Sequence, residues 1–315
     1  MGGTRIDVGQ GGSPALSAPE LASRMRDYFA LVKPRPMSIV LAAAAAGYLA
    51  APAALDPLHA VLALTAIAAG GGGSAALNMW YERDLDRVMA RTAGRPLVAG
   101  RIEPSHALVF ALMLCLAGVT LMAGVAGAAA AGMLALTIAF YGVVYTMWLK
   151  RTSALNVVLG GGIASVLTPL TGWAAASGTV SLDALALFAF LLPWTPPHVW
   201  SQAIVRRADY ARASVPMMPV VAGVAATTRL IGLFTLAHVA ASLLPVAIGS
   251  AGAVYGAVAV IGGGLLTIEA VRLWRLEDGA ALVRQAWRFY RRSILYVVVM
   301  LVTLVLERAL VGVAS

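Results

Sequence analysis

An all-α fold that crosses a membrane many times is predicted by three observations. Of the 315 residues, 60% are hydrophobic and only 12% are charged, and the mean hydropathy is +0.84, far from the balance of a soluble domain. Apolar runs of roughly 20 residues, the length that spans hydrocarbon, recur along the chain. No weak alternation in ten-residue segments suggests a barrel, and lipid excludes open sheet edges, so helices are what remain.

Taken in order, residues 1 to 20 are rich in Gly, Ser, Pro and Ala without an apolar stretch of signal-peptide length, and read as a flexible tail. Residues 21 to 315 read as one transmembrane domain. Between 19 and 33, charges alternate with Leu21, Met25, Tyr28, Phe29 and Leu31, the pattern of an amphipathic helix on a membrane surface or of a soluble lead-in, before a break at Lys33-Pro34-Arg35-Pro36. Spans follow near 38 to 56, 58 to 78, 105 to 125, 127 to 147, 154 to 175, 181 to 201, 230 to 248, 251 to 271 and 293 to 313, about nine in all. Gly70 to Gly73 and Gly160 to Gly162 fall inside spans, where small residues allow close helix approach or leave room for a bulky ligand. Cys115, the single cysteine, sits mid-span among Leu and Met; it excludes an intrachain disulfide or a multi-thiolate zinc site and reads as packing.

The net charge of +9 does not point to nucleic acid, because the basic residues are confined to alternate loops. They occupy the N-terminal arm, residues 81 to 104, Lys150-Arg151, residues 206 to 212 and residues 272 to 292, while the turns near 56, 126, 178 and 250 carry no Lys or Arg. This asymmetry puts the N-terminus and every basic loop on the cytoplasmic side. Loops after the second, fourth, sixth and eighth spans therefore share one face and can build one site.

The first of these loops holds the most informative residues. Asn78, Glu82 and Asp86 recur every four positions. On a helix turning about 100° per residue they drift only about 40° per step and face one way over roughly 12 Å. Such a row offers hard oxygen ligands for Mg²⁺, and carboxylates at a membrane boundary are functional by default. Asp84 points elsewhere and is expected to pair locally with Arg83, Arg87 or Arg91. Arg91 and Arg101 read as orientation signals, whereas Arg87, Arg95, Lys150 and Arg151 read equally as orientation signals or as clamps on an anion. If a helix restarts after Pro197, then His198, Gln202, Arg206 and Asp209 make a second polar row. His198 weighs evenly between a structural hydrogen bond and a ligand contact. His59, His106 and His238 have no polar company in sequence and read as interfacial or packed.

At these residues the chain resembles the intramembrane prenyltransferase superfamily, whose first signature is Asn-x-x-x-Asp-x-x-x-Asp, and within it the protohaem IX farnesyltransferase branch. The resemblance is carried by Lys33-Pro34-Arg35, Asn78 through Asp86, Arg91-Thr92 with Arg95-Pro96-Leu97, Tyr145-Thr146 with Leu149-Lys150-Arg151-Thr152, Trp194-Thr195-Pro196-Pro197-His198, and Asp209-Tyr210 with Val215-Pro216-Met217. Two departures stand out: Glu82 replaces the first Asp of the signature, and Ala213 stands where quinone-type members complete a second Asp-x-x-x-Asp.

The resemblance implies a nine-helix bundle around a cavity open to the cytoplasm, farnesyl diphosphate as donor, haem B as acceptor and Mg²⁺ as cofactor. It assigns Asn78, Glu82 and Asp86 to a Mg²⁺-diphosphate cluster, Asp209 to its opposing side, Arg35, Arg87, Lys150 and Arg151 to the diphosphate, and His198 to haem. It further implies a bacterial inner membrane and, as partners, haem-modifying enzymes or terminal-oxidase assembly proteins. Two other readings stay open: a prenyltransferase of an aromatic acid or quinone precursor, disfavoured by Ala213, and a transporter, disfavoured because the polar residues gather at helix ends rather than mid-span.

Overall fold

The protein is described here by a computed structural model covering residues 17–53 and 56–314, without the side chains of 311–314. Among these residues all regular structure is helical. The expected tail falls mainly outside them, but Ala18, Pro19 and Glu20 already form the first turn of helix α1 (Ala18–Leu31). Its start is fixed by a capping box in which the Ser17 backbone N–H and hydroxyl both donate to the Glu20 carboxylate, at 2.9 and 2.7 Å.

Helix α2 (Pro34–Ala50) leaves α1 at a 51° bend. The corner is Lys33, whose φ of 51° is left-handed, a conformation that costs a non-glycine residue about 1–2 kcal/mol. Pro34 then opens α2 at the position where its missing N–H does no harm.

Helix α3 (Pro57–Tyr81) is capped by Asp56, which accepts from the backbone of Leu58 and His59 at 2.9 and 3.3 Å. It ends at Glu82 (φ −91°, ψ 12°) and resumes as α4 (Arg83–Val88). Helix α5 (Pro104–Thr152) has 49 residues, which would reach about 73 Å if straight, more than twice the ~30 Å of hydrocarbon. Gly127, at φ 80° and ψ −177°, breaks it near the middle. Helix α6 (Asn156–Ser177) crosses α2 with almost no gap: a Cβ on Gly47 would lie 1.9 Å from the Pro169 carbonyl oxygen, and one on Gly172 would lie 1.9 Å from that of Ala44. The glycine run of α3 serves the same purpose, since a Cβ on Gly73 would meet the Ala111 carbonyl oxygen at 2.7 Å.

The sixth expected span is split into α7 (Leu182–Phe188) and α8 (Leu191–Val205). The break comes before the prolines rather than after them: the Leu192 N–H closes a turn onto the Ala189 carbonyl at 3.1 Å, and α8 then runs straight through Pro196 and Pro197. Side chains support the weakened backbone, with the hydroxyls of Ser165 and Thr195 donating to the Leu191 carbonyl at 3.0 and 3.3 Å. After α8 come the short helices α9 (Arg207–Arg212) and α10 (Met218–Val221), then α11 (Gly223–Ala247), α12 (Ala253–Trp274) and α13 (Ala280–Ala314).

Among the described residues six helices are long and apolar enough to cross a membrane, or seven if the bent α1 and α2 count as one span. The expectation of nine differs because α5 holds two expected spans in one helix and neither α7 nor α8 reaches spanning length alone. Large apolar side chains such as Leu112, Met113, Leu116, Leu233 and Val302 are exposed around the bundle, the composition of a surface that faces lipid. This is an integral, multi-pass membrane protein. Near the turns that lack Lys and Arg, the Arg308 guanidinium donates to the Ala50 carbonyl and the Glu307 carboxylate accepts from the Gly252 and Tyr255 N–H groups, at 2.6 and 2.9 Å for the latter two. These two half-buried charges tie the ends of neighbouring helices together.

Candidate active site

Asn78, Glu82 and Asp86 lie on two helical pieces, α3 and α4, joined at Glu82. The backbone keeps its four-residue register across the Glu82 hinge, with Glu82 N–H donating to the Asn78 carbonyl and Asp86 N–H to that of Glu82, both at 2.9 Å. All three side chains are buried, 2 to 4% exposed. Each meets a cation from a different element. The Lys33 ammonium donates to Asn78 Oδ1 at 2.5 Å, Lys150 from the end of α5 to Glu82 Oε1 at 2.5 Å, and Arg95 from the following loop to Asp86 Oδ2 at 2.5 Å. The Asn78 amide in turn donates to Thr146 Oγ1 at 3.0 Å, which sets the amide so that its oxygen faces Lys33.

Three basic side chains thus converge on two carboxylates and an amide, a set that suits an incoming polyanion. Glu82 and Asp86 each use one oxygen for their cation. Their second oxygens are not among the buried atoms left without a partner. Among the described residues no three His, Cys, Asp or Glu side chains gather closely enough to form a metal cage. A hard cation here would therefore draw its remaining ligands from a substrate, the usual habit of Mg²⁺.

Beneath the row lies a cavity of about 340 Å³ whose lining includes Lys33, Met37, Ile67, Tyr141, Tyr145 and Trp194. Its walls are chiefly aliphatic and aromatic, and Thr137 and Thr171 pair across part of it at 3.2 Å. Gly71 and Gly161 also line it and keep it open; a Cβ on Gly161 would stand 3.0 Å from the Thr195 methyl. Two π-helical stretches, Phe140–Leu149 and Asn156–Gly162, pass this cavity, a backbone irregularity that clusters at functional sites.

Other expected residues sit elsewhere. Arg151 does not face the row: it grips Asp84 with both nitrogens at 2.7 and 2.8 Å and lies 4.8 Å from the Tyr81 ring centre. The expectation that Asp84 pairs locally with Arg83, Arg87 or Arg91 is thus corrected: the end of α5 brings the Arg151 guanidinium onto both of its oxygens, and Arg83 donates instead to the Trp80 carbonyl at 2.7 Å. The Arg151 hydrogen bond holds the Asp84 carboxyl below its ordinary value. Arg35 and Arg87 are exposed.

Asp209 is about 20% exposed and pairs with Arg212 of the same helix. A hinge at Arg206 separates it from His198, with the four-residue register kept as at Glu82: Arg206 N–H donates to the Gln202 carbonyl and Tyr210 N–H to that of Arg206, both at 3.2 Å. The α8–α9 corner lies near the first row. Arg91 is held below its ordinary value by desolvation first and then by Arg95 and Arg206, with Tyr210 and Asp86 opposing them.

His198 is packed between Trp194 and Tyr290, at ring-centre distances of 4.6 and 4.4 Å. Its Nδ1 lies 2.9 Å from Ser293 Oγ, and that hydroxyl donates its one hydrogen to the Tyr290 carbonyl at 2.8 Å. With the Ser293 hydrogen on the Tyr290 carbonyl, the hydroxyl oxygen is placed to accept from Nδ1–H, the tautomer that leaves the Nε2 lone pair for a ligand. Ordered as Trp194, His198, Tyr290, Trp287 and the Arg206 guanidinium, aromatic neighbours lead from the cavity wall toward the basic loops; Trp287 lies 5.4 Å from Tyr290 and 5.5 Å from Arg206.

The pattern defining the UbiA prenyltransferase family matches residues 39–306. The chain belongs to this family. Similar sequences include the protoheme IX farnesyltransferases of Parvibaculum lavamentivorans, 46% identical over 90% of this chain and 89% of its own, and of Azorhizobium caulinodans, 44% identical over 96% and 98%. Among solved structures, a digeranylgeranylglyceryl phosphate synthase superposes with a TM-score of 0.73 at 15% identity, covering 91% of this chain and 99% of its own. A UbiA homologue from Archaeoglobus fulgidus, solved with GPP and Mg²⁺ bound, does so with a TM-score of 0.64 at 17% identity, covering 89% and 99%.

Within this prenyltransferase fold, sequence reasoning assigned no role to Lys33 or Thr146 and left Arg95 undecided. A lysine at the mouth of an apolar run, held before a proline, was the available signal for Lys33; nothing local distinguished Arg95 from its neighbouring arginines.

Proposed function

We propose that this chain transfers a farnesyl group from farnesyl diphosphate to a vinyl group of protohaem IX, giving haem O. One observation carries the reading: Lys33 both lines the apolar cavity and bonds the first member of the carboxylate row. A donor with a doubly charged head and a long apolar tail bridges those two environments, head on the row and tail in the cavity. The names of the similar full-length sequences support haem as the acceptor.

Lys33, Lys150 and Arg95 hold the diphosphate, and Arg35 and Arg87, exposed nearby in sequence, draw it in. Arg151 steadies Asp84 and so the end of α5 that carries Lys150. Asn78, Glu82 and Asp86 fit Mg²⁺ through their buried oxygens, with Asp209 as the carboxylate of the opposing segment; the ion when bound neutralises charge on the departing diphosphate. As the carbon–oxygen bond breaks, its electron pair leaves with the diphosphate. The allylic cation that remains is kept from water by Tyr141, Tyr145, Trp194 and the aliphatic wall. Vinyl π electrons of the acceptor form the new carbon–carbon bond, and water adds to the resulting cation and releases a proton, leaving a hydroxyethylfarnesyl group.

For the acceptor we assign the aromatic series from Trp194 to Arg206. His198 Nε2, an imidazole nitrogen, is the donor atom we assign to haem iron, and Arg206 and Arg91 are suited to carboxylates. The basic loops support placing the N-terminus and the site on the cytoplasmic side of a bacterial inner membrane, with terminal-oxidase assembly or a further haem-modifying enzyme receiving the product.

Incubating the purified protein in detergent with Mg²⁺, farnesyl diphosphate and haem B is expected to yield a heavier, more hydrophobic haem by chromatography and mass spectrometry. Prenylation of an aromatic acid with no haem product would defeat the proposal.

A further inference from the structure

Two cavities that share no lining residue with the site above meet end to end between α11 and α12. One, about 290 Å³, is an apolar groove lined by Leu233, Leu236, Ala270 and Val271. The other, about 350 Å³, has a lining that includes Thr228, Arg275, Glu277 and Asp278. Arg229 and Trp274 line both. Leu233, Leu236 and Trp274 are 61, 56 and 54% exposed, so the groove opens on the surface that faces lipid. Nothing fills it at Gly232, where a Cβ would meet no atom within 4 Å.

The charges that line this second cavity have both signs. Asp278 pairs with Arg207 at 2.5 Å, whereas Arg229, Arg275 and Glu277 form no ion pair among the described residues. An apolar slot ending in a tryptophan and an arginine has the profile of a bilayer interface, where both residue types keep an apolar body in lipid and a polar tip at the headgroups. A pair of arginines alone would suit any phospholipid phosphate. The carboxylate of Glu277 beside them adds an acceptor for a cation that can donate hydrogen bonds.

We propose that this slot holds one phosphatidylethanolamine molecule: an acyl chain along Leu233, Leu236 and Val271, the phosphate on Arg229 and Arg275, and the ammonium on Glu277. Phosphatidylcholine matches the charge but its quaternary ammonium donates no hydrogen bond. Phosphatidylglycerol lacks the cation and sets a neutral headgroup against Glu277.

The test is native mass spectrometry of the full-length protein released from detergent after equilibration with phosphatidylethanolamine, phosphatidylcholine or phosphatidylglycerol of identical acyl chains. Ethanolamine lipid is expected to be retained about tenfold better than choline lipid, the ratio for one charge-assisted hydrogen bond of about 1.4 kcal/mol. Glu277→Gln should erase that preference while leaving choline lipid retention unchanged. Arg229→Gln with Arg275→Gln should lower retention of all three, as should Leu233→Trp, which fills the groove without altering charge. Equal retention of the three lipids, a preference for phosphatidylglycerol, or a preference for ethanolamine lipid that survives Glu277→Gln would each overturn the proposal.

Discussion

The Glu82–Lys150 pair offers the sharpest test of how the site works. In the structure the two groups neutralise each other at 2.5 Å, with side-chain exposures of 5% and 15%. In the proposed reaction they part, Glu82 toward Mg²⁺ and Lys150 toward diphosphate. Removing one member of a buried pair strands the other, at a cost of roughly 3–5 kcal/mol; the access Lys150 keeps to solvent places Glu82→Gln near the lower end, about 3 kcal/mol. Replacing both members by neutral groups of similar size removes the stranded charge, so Glu82→Gln with Lys150→Met should return to within about 1 kcal/mol of the original stability. Activity should behave differently. Each single variant forfeits one preorganised charge, about 10²–10³ in kcat, and the double variant forfeits both. Thermal unfolding in detergent, read by intrinsic fluorescence, gives the stability arm, and farnesyl transfer to haem B gives the other. Recovery of turnover together with stability in the double variant would refute the reasoning, since the pair would then be a structural strut only.

Ser293→Ala removes the acceptor that sets the His198 tautomer, and haem should bind about 10–100-fold more weakly with a shifted absorption band, while farnesyl diphosphate binding holds; an unchanged haem titration would count against the aromatic series. Gly172→Ala drives a methyl into the Ala44 carbonyl, and a loss above about 3 kcal/mol is expected in thermal unfolding because backbone, unlike a side chain, cannot swing away. Asp84 has a lowered native pKa from its Arg151 hydrogen bond, so its stabilising contribution is present above about pH 4 and is lost as pH falls through the lowered native value. The gap in Tm between the parent and Asp84→Asn should accordingly stay constant above about pH 5 and close as the pH is taken below about 4. Asp209→Asn should raise the Mg²⁺ concentration needed for half-maximal turnover; an unchanged Mg²⁺ dependence would remove Asp209 from the metal role.

How legible the site was depended on whether its members are neighbours in sequence. Asn78, Glu82 and Asp86 could be found because helical register alone aligns them, and that register survives even the hinge at Glu82. Lys33 and Arg95 could not be singled out, because each reaches the row from another element and their side chains are long enough to serve several ends. The assignment of Arg151 to the anion shows the same limit. Lys150 and Arg151 are adjacent on one helix end, so turning one toward the row turns the other about 100° away, onto Asp84.

The sequence by itself determined the membrane class, the helical fold, the confinement of the basic residues to alternate loops and the carboxylate row, because each follows from local period and composition. Only the tertiary structure decided which cation meets which carboxylate, that Lys33 joins the row to the apolar cavity, and where the proline-rich span breaks. Those outcomes rest on contacts between residues far apart in the chain, such as Lys33 with Asn78 and Lys150 with Glu82, whose formation depends on helix packing rather than on the residues flanking either partner.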